Sequence, residues 1–427
     1  MKQQSKFRKV AGLISLGYLG GTIYLLMYVR YCFYDLELET VGINNTQLGL
    51  VATVGSVVAF ITQWPGAFLA DKLDSKKIIV FTGAVVTGIS FIYAFFVHSY
   101  AALMAQEIAQ DILMMSYWAA LIKYINNMGD EDEAGSSFGN YYLINGISGA
   151  LGNIIPIYFS QHYGFAGVIV CYGVITLIGT IAVFFFLDDE KQLAERGIYL
   201  KGDEPVRLKH IPLVLKWPGF WIILFAYTTT YCCNTNLSYF TPYLTQVVGI
   251  DPDATAVVAV IRSYAITPIA APIGGFMADK VLKSTSSWYI TAFTIIAVLL
   301  AIPLTFGPET NATFVTIYSL LPALAVYALY CVTYSIMREL HIPTTVSATA
   351  IGVSTGIASL LLAPFSTVFG HFIDAYGNDG FKYIFITLIG VCILGILNAL
   401  WAKKLDKKCK AGYKMDLSSL GVANSEE

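Results

Sequence analysis

Apolar residues run along this chain in long blocks divided by shorter polar stretches, and the block length is informative. Runs of span length lie at 11–34, 46–70, 78–97, 100–124, 138–160 and 165–187. They resume at 218–247, 255–279, 286–307, 312–337, 345–373 and 381–402. A helix needs roughly 20 apolar residues to cross a bilayer, so the pattern predicts twelve transmembrane helices, numbered here as spans 1 to 12. Lipid leaves only helices and closed barrels with every backbone polar group satisfied, and the alternating segments of a barrel are absent. The expected fold class is all-α integral membrane. Residues 1–187 and 217–403 form two six-helix bundles, 188–216 a cytoplasmic linker, and 404–427 a cytoplasmic tail.

Composition agrees. Hydrophobic residues make up 56% of the 427 and charged residues 13%, against roughly 25% charged in a soluble domain. The basic start, Lys2, Lys6, Arg8 and Lys9, leads into a run too long for a signal peptide, so span 1 is expected to be retained. Of 26 lysines and arginines, Arg30 and Arg262 lie within spans and Lys382 in an outer loop, which leaves 23 in the tails and even-numbered turnarounds. Positive charge stays on the cytoplasmic side, so both termini are expected inside, with the protein in the plasma (inner) membrane. Outer loops read as acidic, with Asp35, Glu37, Glu39, Asp251 and Asp253. Six of the seven cysteines fall in apolar runs and read as buried thiols, with Cys409 in the polar tail. Metal-ligand spacing and a phosphate-cradling loop are both absent, so neither a metal, a cofactor nor ATP-driven pumping is expected. Nucleic acid is not an expected partner, and the chain is taken as a monomer in lipid.

One heptad occurs twice. The inner end of span 2 reads Gly66-Ala-Phe-Leu-Ala-Asp71-Lys72, and the inner end of span 8 reads Gly274-Gly-Phe-Met-Ala-Asp279-Lys280. The copies stand at equivalent places in the two halves, as parallel internal repeats do. Glycine permits close helix approach, and an aspartate at the membrane edge can take hydrogen bonds from a helix N-terminus. The pair therefore suits a gate.

On these residues the chain resembles the major facilitator superfamily over essentially its full length. Asp74 replaces a usual glycine, a variant similar to the organophosphate:phosphate antiporter branch and its organic-anion relatives. Further similarity lies in Arg30 followed by Asn45-Thr46-Gln47-Leu48-Gly49, and in Gly135-Ser-Ser-Phe-Gly139. The resemblance implies that Arg30 binds the substrate's anionic group. The branch's second arginine, on span 7, is missing. Asn234 takes its place on a polar stripe with Tyr227, Tyr231 and Ser238.

Ionisable residues inside the membrane are costly and mark function by default. Arg30 presents a planar fork that fits phosphate, carboxylate or sulfonate; snorkelling outward or pairing with Asp35 is the alternative reading. Arg262 could add a second positive charge or serve as a structural partner of an acid. Glu107 and Asp111 lie one turn apart on span 4, where two carboxylates do not both ionise easily. That is what proton coupling requires, although simple pairing with the arginines would also account for them. Gln110 and Gln106 line the adjacent face. The resulting expectation is a secondary active transporter of a small organic anion, working as a proton symporter or an anion exchanger. Substrate contacts are expected at Arg30, Arg262, Asn234, Tyr231 and Gln110, and proton coupling at Glu107 and Asp111. The alternative is an exporter of drug-like or neutral metabolites on the same fold.

Overall fold

The computed structural model describes residues 6–126, 134–195, 211–307, 310–342 and 344–413. The segment 196–210 of the expected linker, the acidic run Asp130–Glu133 and the tail beyond 413 lie outside the described residues, as do the side chains of Asp71 and of 135–139.

The chain is helical throughout its described length. Among the described residues, seven helices are long and apolar enough to cross a membrane by length and composition. Two of them each contain two spans. Ala134–Phe186 is broken at Gly164, where φ is 62° and a side chain would be strained, so it turns from span 5 into span 6. Thr349–Lys410 likewise joins spans 11 and 12 across the short 3-10 turn Gly377–Asp379. Seven helices thus account for nine spans. The remaining three are span 1, span 4 and span 7. Spans 1 and 7 are interrupted, at Thr22 and Asn236, and span 4, Tyr100–Asn126, carries charges within it. Together they make twelve spans in two six-helix halves. An even number puts both termini on one face, here called the tail side; the opposite face is the far side.

Helix ends are set locally. Asn44 starts span 2 (Asn45–Lys72) by accepting from Gln47 N at 2.8 Å, while Gln47 Oε1 accepts from Asn44 N at 3.0 Å. Asn311 caps span 10 in the same manner, accepting from Phe314 N. Both asparagines that head N-x-T triplets are therefore helix caps.

Two compact units divide the residues. One comprises Met1–Gly202, Ser238–Pro268 and Phe365–Asp374; the other comprises Asp203–Leu237, Ile269–Pro364 and Ala375–Glu427. The first unit is thus the first six spans together with the far-side ends of spans 7, 8 and 11. Within it, span 1 packs along spans 5 and 6, span 2 along span 4, and span 3 against both groups. Within the second unit, spans 7 and 9 each pack on spans 10 and 12. Side chains such as Phe81, Ile92 and Phe185 stay exposed on span surfaces, the lipid-facing counterpart of a soluble protein's polar coat. Contrary to the sequence expectation, Cys331 is exposed and Cys409 is buried.

On the tail side of the first unit, Asp74 and Glu190 cap each other's helices. Asp74 accepts from Lys77 N (3.0 Å) and Glu190 N (2.8 Å). Glu190 accepts from Ser75 N (3.0 Å), Ser75 Oγ (2.9 Å) and Lys123 Nζ (2.9 Å). Partial burial pushes the Glu190 carboxyl up, but the Lys123 and Ser75 donors outweigh it and hold it below the usual range.

Candidate functional site

Span 1 is helical over Lys6–Thr22 and again over Tyr34–Val41. Between them the backbone winds irregularly. Leu25 N bonds to Thr22 O (3.2 Å) and Tyr31 N to Tyr28 O (2.9 Å), but Tyr28 N reaches Tyr24 O (3.1 Å). Non-helical backbone at membrane depth is tolerated where protein buries it. Ile23, Leu25, Leu26, Val29 and Cys32 are all buried here. Neighbouring spans satisfy the freed carbonyls. Gln110 of span 4 donates to Ile23 O at 3.1 Å and accepts from Gln106 at 2.9 Å, and Thr176 of span 6 donates to Thr22 O at 3.4 Å. The Gln110 amide thereby helps to hold the break.

Arg30 lies in this break, on the 3-10 turn Val29–Tyr31. Its Nη2 donates to Glu107 Oε1 at 2.5 Å and to Met27 O at 3.0 Å. Arg30 Nη1, Glu107 Oε2 and Asp111 Oδ2 are buried and have no hydrogen-bond partner among the described residues. Span 2 leaves room for the carboxyls at Gly55, where a Cβ would overlap Asp111 Oδ2 and approach Glu107 Oε1 at 3.1 Å. One pocket of the first unit therefore holds a charge-assisted ion pair with spare donor and acceptor capacity on both members.

Glu37 belongs with this group. The sequence placed it among solvated outer-loop acids, but it is fully buried in helix Tyr34–Val41, and neither carboxyl oxygen has a hydrogen-bond partner among the described residues. The overlooked signal was its spacing: Tyr34, Glu37 and Val41, at i, i+3 and i+7, form one buried stripe.

Arg262 is buried in a π-helical turn of span 8, Ile261–Ala265. Its Nη2 donates to Thr241 Oγ1 at 2.6 Å, and Thr241 Oγ1 donates to Tyr31 O at 2.8 Å. One hydroxyl thus connects it to the residue after Arg30. Thr241 also lines a far-side cleft of ≈ 210 Å³ with Cys32, Tyr34, Asp35 and Asp253. Around that face, Asp35 accepts from Thr245 and Gln246, and Asp253 from Gln161 (2.9 Å). Asp374 takes four hydrogen bonds from the start of span 2: Asn45 N (3.1 Å), Asn45 Nδ2 (2.7 Å), Thr46 N (2.7 Å) and Thr46 Oγ1 (2.5 Å).

The second unit places Tyr231 and Asn234 in a different setting. Tyr227 and Tyr231 of span 7 stack at 5.3 Å, Tyr227 stacks on Tyr334 of span 10 at 5.7 Å, and Tyr231 meets Tyr330 at 6.1 Å. Asn234 Oδ1 is buried without a partner among the described residues. Ser238 leaves the stripe, because the helix ends at Asn236 and Ser238 sits in a 3-10 turn.

The repeated heptad has repeated geometry at its first residue. A Cβ at Gly66 would meet the Met115–Ser116 backbone of span 4 at 2.9 Å, and one at Gly274 would press into the Ala328 backbone of span 10. Each glycine lets its span close on a neighbour in its own unit. Lys72 lies over the Phe68 ring at 4.3 Å, and Asp279 and Lys280 sit exposed in the π-helical turn Met277–Val281.

Residues 11–363 match the family model described as Major Facilitator Superfamily. The chain belongs to the major facilitator superfamily. It is therefore a membrane transporter and not an enzyme. Among relatives, the inner membrane protein YihN of Escherichia coli (strain K12) is 25% identical over 402 residues, covering 92% of this chain and 94% of that protein. The inner membrane protein YqcE of the same organism is 22% identical over 409 residues, with the same coverage. Among solved structures, a bacterial homolog of the human lysosomal transporter Spinster has a TM-score of 0.69 at 13% identity, covering 97% of this chain and 100% of that one. The nucleoside transporter NupG has a TM-score of 0.70 at 12% identity, covering 92% and 99%. These likenesses establish the superfamily fold.

Proposed function

We propose that this superfamily member is a secondary active transporter of a small organic anion, with Arg30 as the anion-binding group. The observation that supports the reading most is the buried Arg30 Nη1, a charged donor with no protein partner among the described residues beside a break in span 1. A carboxylate, phosphate or sulfonate arriving there would complete a bidentate contact. Glu107, which holds the other guanidinium nitrogen, competes with that anion, so protonation of Glu107 favours its binding. This is the logic of proton symport, and exchange of one anion for another uses the same competition. Arg262 stands close enough through Thr241 and Tyr31 to add positive potential. The Asp74 variant of the repeated heptad supports kinship with the organophosphate and organic-anion branch. The distribution of lysine and arginine supports cytoplasmic termini, and the two relatives support the inner membrane.

A neutral substrate is the second reading. It is favoured by the Arg30–Glu107 pair, which leaves no net charge between them, and by the uncharged tyrosine stack of the second unit.

The test is a thermal-shift screen of the purified protein against uronates, sugar phosphates, sulfonates, dicarboxylates and neutral sugars, followed by affinity measurement on Arg30 variants. Arg30→Ala should weaken binding of the stabilising anion by about 10–100-fold, the equivalent of losing ~1.5–3 kcal/mol. Arg30→Lys should recover little, because it keeps the charge without the fork. Wild-type affinity in a well-folded Arg30→Lys protein, or stabilisation by neutral sugars alone, would overturn the anionic reading.

A further inference from the structure

Glu107 holds Arg30 directly, Asp111 stands beside Glu107 at Gly55, and Glu37, seven residues after Arg30, is a third buried carboxyl of the same unit. If all three were ionised, the group would carry two uncompensated negative charges in a buried site, which is untenable in low dielectric. Glu107 already holds the guanidinium at 2.5 Å. Glu37 has no hydrogen-bonded partner among the described residues for either oxygen. It lies within electrostatic reach of Arg30 and Tyr34 on span 1, Tyr93 on span 3, Glu107 on span 4 and Tyr172 on span 6. Arg30 is the only cation among these groups. Tyr172 is already committed to Asn153 at 2.8 Å, and the Tyr93 hydroxyl has no partner among the described residues.

We infer that Glu37 is a proton-binding residue of the transporter, neutral while Arg30 is paired with Glu107 and ionised when Arg30 turns to it instead. The device has two alternative ion pairs sharing one guanidinium: Arg30–Glu107 with a protonated Glu37, and Arg30–Glu37 with Glu107 released. In the second state Glu107 must itself take a proton, so each exchange passes one proton between spans 1 and 4. For its use in transport this rests on the reading of Arg30 as the substrate contact, but the protons themselves can be observed with no substrate present.

The experiment is infrared spectroscopy of the full-length protein in lipid at neutral pH, read in the carboxylic C=O stretching region. Wild type should show a protonated-carboxyl band that is lost in Glu37→Gln. In Glu107→Gln, Arg30 has lost its first partner, so Glu37 should ionise and the same band should disappear. Glu37→Gln/Glu107→Gln should then differ little from Glu107→Gln in that region. An unchanged band in Glu37→Gln would show that Glu37 carries no proton, and a Glu37 band that survives Glu107→Gln would show that Arg30 does not exchange. Either result overturns the proposal. Neither depends on whether an anion binds Arg30, so failure here is distinguishable from failure of the anionic reading. Circular dichroism and melting of each variant guard against misfolding. A purely structural carboxyl would leave the Glu107→Gln spectrum showing the Glu37 band.

Discussion

Spans 1 and 4 hold the same places in the first half of the repeat that spans 7 and 10 hold in the second, yet they are furnished differently. The first pair carries Arg30, Glu107 and Asp111. The second carries no acid or base between 218 and 337 on either span, and packs four tyrosines together instead, two of the three ring contacts stacked and one tilted. Both span 1 and span 7 lose regular winding part-way, at Thr22 and Asn236. Backbone interruption is therefore shared between the two pairs, whereas buried charge is absent from spans 7 and 10; the second half's buried Arg262 lies instead on span 8.

The contrast can be broken by mutation, and the largest effect is expected at Glu107. Glu107→Ala removes Arg30's partner at 2.5 Å and leaves the guanidinium to Glu37, which must give up its proton to replace it; breaking a buried pair in this way costs up to roughly 3–5 kcal/mol. It should appear as a sharp fall in melting temperature, relieved in part by Arg30→Met in the same chain. If Glu107→Ala melts like wild type, the first half has no buried ion pair to contrast with the second. Gly55→Ala comes next: its methyl group meets Asp111 and Glu107, and overpacking of this kind costs about 1–3 kcal/mol. An equal melting temperature would mean that the carboxyls are not where span 2 makes room for them.

A smaller effect is expected at the far side. Asp374 is pushed up by partial burial, but its bonds from Thr46 and Asn45 prevail and hold it below the usual aspartate range. A lowered native pKa means the stabilisation is fully present above the unfolded value of about 3.9 and is lost as pH falls through the native one. Asp374→Asn should therefore cost on the order of 1 kcal/mol, as loss of a helix cap does. The difference from wild type should stay constant from about pH 5 to 8 and shrink below about pH 4. A difference that grows on acidification would contradict the assignment. The smallest effect is expected in the uncharged pair, spans 7 and 10. Tyr231→Phe keeps the ring stack and should shift stability by less than about 0.5 kcal/mol, with no dependence on pH. A pH-dependent change in that variant would mean the second half takes part in proton chemistry after all.

Much of this was legible in the sequence, because lipid imposes simple rules. Twelve apolar runs gave twelve spans, and a charge inside such a run, as at Arg30, Glu107 and Asp111, stands out without any knowledge of packing. Asn234 and Tyr231 were legible as polar positions on a helical stripe, and Tyr327, Tyr330 and Tyr334 as a stripe of span 10 that could line a cavity or simply pack. The stacking of Tyr227 on Tyr334 and the meeting of Tyr231 with Tyr330 were not. The breaks were hidden. Residues 23–33 contain neither glycine nor proline, and the turn there is held by Gln110 and Thr176 from distant parts of the chain. Glu37 was hidden for a related reason. Beside Asp35 and Glu39 it looks like part of a wet acidic loop, and only tertiary burial separates it from them.

The irregular stretch in span 1 also has a mechanical meaning. A continuous helix transmits rotation from end to end, whereas 23–33 is wound loosely enough to absorb it. Adding or removing one residue's worth of winding there would turn helix Tyr34–Val41 by ~100° about its axis. The tail-side segment, Lys6–Thr22, could stay seated on spans 5 and 6 while it did so. Such a turn would carry Glu37 out of the Arg30 pocket and bring another face of the helix in. The break makes span 1 a swivel, with Arg30 in the joint itself and Glu37 on the segment that turns.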